Sequence, residues 1–340
     1  MTPARLIEPL ALLTGAAAIE AVSSGQACPL AGGPAAFALC ALIEDGDRVP
    51  VPVSAVPPAW HAELTAVSSP VADAGLPPGP LVMGILNVTP DSFSDGGRYL
   101  DADAAIRAGL AMREAGADLV DVGGESTRPG ATPVSGPEEV ARVLPVVRAL
   151  VAAGVSVSVD TRNAVTMRAV LDAGAALIND VSALTHDREA AAVVAASGRP
   201  VALMHMRGTP ATMNDHARYA DVAVEVVREL SARIDDAVAA GVRRDRILVD
   251  PGIGFAKTTA HNLDVLRRLA VMANLGCRML LGVSRKRFVG EISGAAAPRD
   301  RVAASVASAL PGLMLPGTIL RVHDVAETRQ AVRMTQAMLG

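Results

Sequence analysis

Two apolar patterns alternate along the chain from Leu81 onward. Short runs in which almost every residue is apolar, such as "LVMGILNV", precede longer stretches in which apolar residues return every three or four positions, such as "EEVARVLPVVRALVAAG". The first pattern predicts strands buried on both faces, the second helices with one apolar side. In order, the strands are "LVMGILNV", "ADLVDVGG", "VSVSVD", "ALINDVS", "PVALMHM", "ILVDPG", "RMLLGVS" and "TILRVHD", each with a helical stretch behind it. Most of those stretches close on a glycine, which ends a helix in left-handed backbone without a Cβ clash. Eight strand–helix units in succession predict an α/β fold, a closed (β/α)8 TIM barrel over residues 76–340. An open doubly wound sheet is the alternative, and it rarely holds that many evenly spaced units.

Residues 1–75 break this rhythm. "FALCALIEDGDRVPVPVSAV" reads as two short strands around an Asp-Gly turn. Ahead of it, "MTPARLIEPLALLTGAAAIEAVSSG" has the early arginine, apolar stretch and small residues of a signal peptide. Glu8 and Pro9 interrupt that apolar run and Glu20 sits where a cleavage region is neutral, so a cytoplasmic helix is expected instead. "SSPVADAGLPPGP" (68–80) is the linker, because clustered Pro and Gly continue neither regular structure. The expectation is a small N-terminal extension, a helix plus a β-hairpin, to which no motif assigns a role.

Composition narrows the function classes. Apolar residues make up 51% of the chain, enough for a large core, yet no uninterrupted apolar segment approaches the roughly 20 residues of a membrane span. A net charge of −4 gives no electrostatic reason to expect nucleic acid or an anionic membrane as partner. Cys28, Cys40 and Cys277 are scattered and lack CxxC spacing, which reads as reduced thiols of a cytoplasmic protein and argues against a zinc site. Only 2% of residues are aromatic, so each phenylalanine is informative.

Polar residues collect at the end of every predicted strand: Asn87, "GGESTRPG", Asp160, "NDVS", "MHMRG", "DPGIGF", "SRK" and "RVHD". Helix capping explains a single carboxylate at such a place but not a recurrence in all units. At the C-terminal mouths of parallel strands these groups converge on one funnel. Asp160, Asn179 and Asp250 are acceptors there and Lys286 is a cation, a set suited to a planar heterocycle with an amino group, ring N–H donors and a carbonyl. In "RVHD", Arg321 and His323 share a face while Val322 points the other way, beside the phosphate site such barrels often place near their last strands. "GILNVTPDSFSDGG" (84–97) and "GGESTRPGA" exceed any plain turn, and their glycine pairs allow movement.

Together "GILNVTPDSFSDGG", "GGESTRPGA", "SVDT", "INDVS", "LMHMRGTP", "DPGIGFAK", "GVSRKRF" and "RVHDV" resemble the dihydropteroate synthase family, in family order and spacing over residues 81–340. The resemblance implies condensation of 6-hydroxymethyl-7,8-dihydropterin pyrophosphate with p-aminobenzoate, giving 7,8-dihydropteroate and pyrophosphate by an SN1-like route. It implies pterin binding by Asp160, Asn179, Asp250 and Lys286, walled by Met204, Phe255 and Gly282. Arg321, His323, Asn87 and Arg128 would meet the pyrophosphate, with Asn87 as a contact of Mg2+ completed by phosphates and waters. Thr127, Pro129, Phe93 and Ser284 would meet p-aminobenzoate, and Asp95, Arg128 and Lys286 would be catalytic, Asp95 facing a cationic pterin under closed loops. A cytoplasmic homodimer acting only on small molecules is expected. Four positions depart from the family pattern: Arg287 stands for a commoner Ser, Arg207 for Gln and Ala256 for Gly, and Pro311 interrupts the helix before the last strand. Rival readings are a methyltetrahydrofolate–corrinoid methyltransferase, which needs neither Arg321 and His323 for pyrophosphate nor the "STRPG" loop, and a non-catalytic pterin-binding protein, against which Asn87, Asp95 and Arg128 are all present.

Overall fold

A computed structural model describes residues 5–88, 98–125 and 134–339. The first elements are β1 (Leu6–Leu13), α1 (Gly15–Ser23), β2 (Cys28–Pro29), β3 (Ala36–Glu44), β4 (Asp47–Pro52) and α2 (His61–Ser68). The expected hairpin is β3–β4, turned by Asp45 and Gly46 with φ of +52° and +93°, as a two-residue turn between twisted strands requires. Residues 6–13, expected to begin a helix, are instead a strand paired antiparallel with β3. Its free edge is met by the Asn274 side chain, which accepts from Ile7 N at 3.0 Å and donates to Ile7 O at 2.7 Å. Glu8, buried in the same strand, takes two bonds from Arg268 at 2.7 and 2.9 Å and one from Arg48 at 2.8 Å. Burial pushes its carboxyl up, but those guanidinium bonds outweigh burial and hold it below the usual range.

The barrel strands are β5 (Leu81–Asn87), β6 (Leu119–Gly123), β7 (Val157–Asp160), β8 (Leu177–Asp180), β9 (Val201–Met204), β10 (Ile247–Asp250), β11 (Arg278–Leu281) and β12 (Ile319–Val322). All pair in parallel, and β12 closes on β5. Around them run α3 (Arg98–Glu114), α4 (Gly136–Ala152), α5 (Ala164–Asp172), α6 (Ala190–Ser197), α7 (Val222–Ala239), α8 (Thr259–Arg267), α9 (Arg287–Ser293), α10 (Val302–Ala309) and α11 (Val325–Leu339). The helix carrying Pro311 stops at Ala309, and Leu310–Met314 tightens into a 3₁₀ turn, as a ring without an N–H dictates.

Strand alternation sorts the barrel into layers. Leu119, Leu177, Leu248, Leu280 and Ile319 form an apolar plug inside, while their neighbours Val120, Ile178, Val249, Leu281 and Leu320 pack outward against the helices. Two residues further along each strand, the inward positions are Asp121, Asn179, Asp250, Gly282 and Arg321. An apolar floor therefore carries a polar layer, open at the C-terminal mouth.

The segment read as a plain linker seals the other end. Its Ala74 and Leu76 join the apolar plug. Arg278, fully buried at the start of β11, donates to the carbonyls of Gly317, Asp73 (3.0 Å), Pro77 (2.9 Å) and Gly79 (2.7 Å).

Candidate active site

Asp121 was not singled out in the sequence, and it is the hub of the polar layer. Its side chain is fully buried, and Oδ2 accepts from Arg321 Nε at 2.6 Å and from Asn179 Nδ2 at 3.0 Å. Its Oδ1 has no hydrogen-bond partner among the described residues. Arg321 Nη2 reaches on to Asp160 Oδ2 at 2.8 Å, so the last strand's arginine ties two carboxylates from adjacent strands. Arg321 Nη1 takes part in neither bond. Burial pushes Asp160 up to about 7, against the pull of Arg321 and with help from the Asp121 carboxylate. The signal for Asp121 was present: it lies two residues beyond the inward Leu119, on the same face.

Backbone without side chains separates these groups. A Cβ on Gly123 would lie 3.6 Å from Asp160 Cβ and 3.8 Å from Asn87 Oδ1, which places the exposed Asn87 beside Asp160. A Cβ on Gly282 would stand 3.9 Å from Arg321 Cβ and 4.0 Å from Asp250 Oδ2. Met204 lies buried at the end of β9, next to Asp250 in register. Structure thus brings Asp160, Asn179, Asp250, Met204, Gly282, Arg321 and Asn87 to one mouth.

Asp250 opens a turn that supplies the rest. Its Oδ1 accepts from Gly252 N at 2.7 Å, and burial pushes the carboxyl up while Lys286 and that N–H oppose. Lys286 donates from Nζ to Ile253 O and lies 4.8 Å from the Phe255 ring centroid, a cation over an aromatic face. Desolvation lowers its ammonium to about 8, with Asp250 pulling the other way. Beneath the turn, sequence reasoning missed a chain in which buried Lys257 meets buried His205, and His205 meets the half-exposed Glu229. "HM" and "AK" carry no spacing that pairs them, so only the fold joins them.

Ser284 is buried and its Oγ meets His323 Nδ1 at 3.0 Å and accepts from His323 N at 3.1 Å, so it orients the histidine. The other residues expected around p-aminobenzoate, Phe93, Thr127 and Pro129, lie outside the described residues, as do Asp95 and Arg128. Glu125, just before that stretch, grips Arg162 through two bonds of 2.9 and 3.1 Å and accepts from Val134 N at 3.2 Å. Of the unusual residues, Arg207 pairs with Glu225 and Glu229 and stacks 3.9 Å from the Tyr219 centroid. Arg287 is exposed and pairs with Glu291 at 3.1 Å. Ala256 takes φ of +48°, backbone that glycine adopts more freely.

The family model described as pterin binding enzyme matches residues 83–323. The dihydropteroate synthase of Escherichia coli is 44% identical over 262 residues, covering 77% of this chain and 92% of that protein. The chain belongs to the dihydropteroate synthase family. It is a transferase of folate synthesis, as its relatives are. The Mycobacterium leprae dihydropteroate synthase is 46% identical over 265 residues, with 76% of this chain and 93% of the relative covered. Among solved structures, the Xanthomonas albilineans dihydropteroate synthase with 4-aminobenzoic acid has 49% identity and a TM-score of 0.72, over 76% of this chain and 93% of that one. Residues 1–75 fall before the family match.

Proposed function

We propose that the barrel mouth joins 6-hydroxymethyl-7,8-dihydropterin pyrophosphate to p-aminobenzoate, releasing pyrophosphate. The observation that supports this most is the polar layer itself: two aspartates and an asparagine around Arg321, with Asp250 and Lys286 across the mouth. In this reading the Asp250 carboxylate accepts from the pterin's amino and ring N–H edge, and Asp160 and Asn179 hold its far side. Lys286, charged below about pH 8, donates to the carbonyl side, and Met204, Phe255 and Gly282 wall the ring. The X. albilineans enzyme has been solved with 7,8-dihydropteroate, which supports the same product here.

Arg321, His323 and Arg128 are assigned to the departing pyrophosphate. Asn87 supplies one amide oxygen, and among the described residues no three or more His, Cys, Asp or Glu gather into a metal cluster. That donor set fits Mg2+ held mainly by substrate phosphates and waters. When bound, the ion neutralises charge on the leaving group. Loss of pyrophosphate ahead of amine attack leaves a cationic pterin, for which Asp95 is the assigned counter-ion. Thr127, Pro129, Phe93 and Ser284 are assigned to p-aminobenzoate. A Yersinia pestis relative has been solved with a sulfonamide drug, and the same drug class is proposed to compete here.

No described helix is long and apolar enough to cross a membrane. Three free thiols, two of them buried, support a cytoplasmic setting. Met334 and Met338, exposed one turn apart on α11, support a homodimer.

The test is pyrophosphate release by purified protein with Mg2+ and the pterin pyrophosphate, with and without p-aminobenzoate. Release that depends on the amine and falls at least about a hundredfold in Arg128→Ala is expected. Pterin binding without turnover would overturn the reading.

A further inference from the structure

We infer that Lys257 is a positioning residue for the pterin: its ammonium, gripped by His205, Gly252 and Phe255, fixes the turn that presents Asp250 and Phe255 to the substrate. The inference rests on the reading proposed above for this mouth.

Geometry carries it. Lys257 Nζ has three acceptors around it, His205 Nδ1 at 2.9 Å, Gly252 O at 3.1 Å and Phe255 O at 3.2 Å. An ammonium has three N–H bonds, so all are used only when the lysine is charged. His205 is buried, and its Nε2 lies 3.0 Å from Glu229 Oε2. With the Nε2 proton donated to that carboxylate, Nδ1 is left to accept from the lysine, so the chain runs donor to acceptor without conflict.

The turn needs holding. Gly252, Gly254 and Ala256 take φ of +64°, +83° and +48°, left-handed backbone at alternate positions. Alternation swings successive carbonyls to opposite sides. Those of Gly252 and Phe255 face Lys257 below, and that of Ile253 faces Lys286. A Cβ on Gly252 would stand 1.9 Å from His205 O, so the turn is pressed against the end of β9. Ala256 is held in a conformation it disfavours, which persists only where neighbours over-determine it. Lys257 sits next in the chain and bonds the turn twice.

Charge makes the clamp sensitive to pH. Desolvation lowers the Lys257 ammonium to about 7; Asp250 and Glu229 raise it, and Lys286 and Arg207 lower it. His205, beside it, is kept neutral, lowered to about 4 by burial and by Lys257. Above neutrality the lysine loses a proton and with it one of the three bonds.

The experiment measures KM for both substrates against pH in the wild-type enzyme, Lys257→Met and Glu229→Gln. The wild-type KM for the pterin pyrophosphate is expected to rise as pH climbs above about 7 and Lys257 loses its charge. Lys257→Met is expected to start about tenfold higher and to lose that rise, keeping only the limbs of Asp160 and Lys286, with the p-aminobenzoate KM within about twofold of wild type. Glu229→Gln keeps the clamp but removes a supporting charge, so the rise moves to lower pH. Lys286 titrates higher, near about 8, and its limb persists in every variant. If Lys257→Met raises both KM values together and keeps the wild-type pH profile, the role is structural and the inference falls. Should that variant not fold, an unmoved profile in Glu229→Gln overturns it alone. A wild-type enzyme that releases no pyrophosphate overturns the proposed reaction instead, and direct titration with the pterin then reads the same shifts.

Discussion

Asp160 and Lys257 titrate near the same pH, and the site uses their opposite charged forms. Asp160 accepts through both oxygens, with no O–H to donate, only when ionised, and burial among other carboxylates raises it to about 7. Its folded value lies above its unfolded one, so folding favours the protonated form; that stability is complete below about 4 and lost as pH rises through 7. Function runs the other way: kcat/KM for the pterin is expected to climb as pH rises toward 7 and Asp160 ionises. Lys257 and Lys286 then set the descending limb, giving a bell near neutrality. In Asp160→Asn the ascending limb should vanish and kcat/KM fall at least about tenfold, since an amide offers the ring a weaker acceptor. A steady-state pH profile of both enzymes checks this, and an unchanged ascending limb would assign it to another group. Residue identities at the mouth were largely legible, because the strand period marks inward positions and a charge there is conspicuous. Asp121 followed the same rule and was passed over between two valines. Lys257 and His205 were illegible, since their significance lies in a contact between β9 and the turn after β10.

Elements were legible where one pattern sufficed. All eight barrel strands stand where unbroken apolar runs predicted parallel sheet, and Pro311 ended its helix. β1 was misjudged for a physical reason. "LIEPLALL" holds an acid and a proline in an apolar run, poor material for a strand by local propensity. Its stability comes from Arg268 and Asn274, which arrive from 260 and 267 residues away. Asn274→Ala removes both bonds to the β1 edge and is expected to cost about 1–3 kcal/mol, read from the midpoint of denaturant unfolding. A change under about 0.5 kcal/mol would mean the edge is solvated at no cost.

At the scale of the molecule the extension is bolted to the barrel. Arg268 bridges Glu8 of β1 to Asp221, the residue that caps α7, and Arg278 binds the connecting segment from below. Deleting residues 1–68 strips cover from the apolar 3₁₀ turn Leu269–Leu275 and leaves Arg268 without Glu8. Such a truncation is expected to melt roughly 10 °C lower or to aggregate. A truncation as stable and as active as the full chain would show the extension to be a passenger.

Sequence alone determined the barrel, because buried parallel strands and amphipathic helices write their periods into the chain. It also determined most of the mouth, because every strand delivers its last inward residue to one place. Tertiary structure decided what those residues touch. Asp121 and Asp160 hold Arg321, and Ser284 turns to His323. It decided as well that an apolar run with an acid in it became a strand, and that a Pro/Gly-rich connection became the seal of the barrel. Those outcomes depend on partners hundreds of residues distant, and a buried charge or an unpaired strand edge is tolerable only once such a partner has arrived.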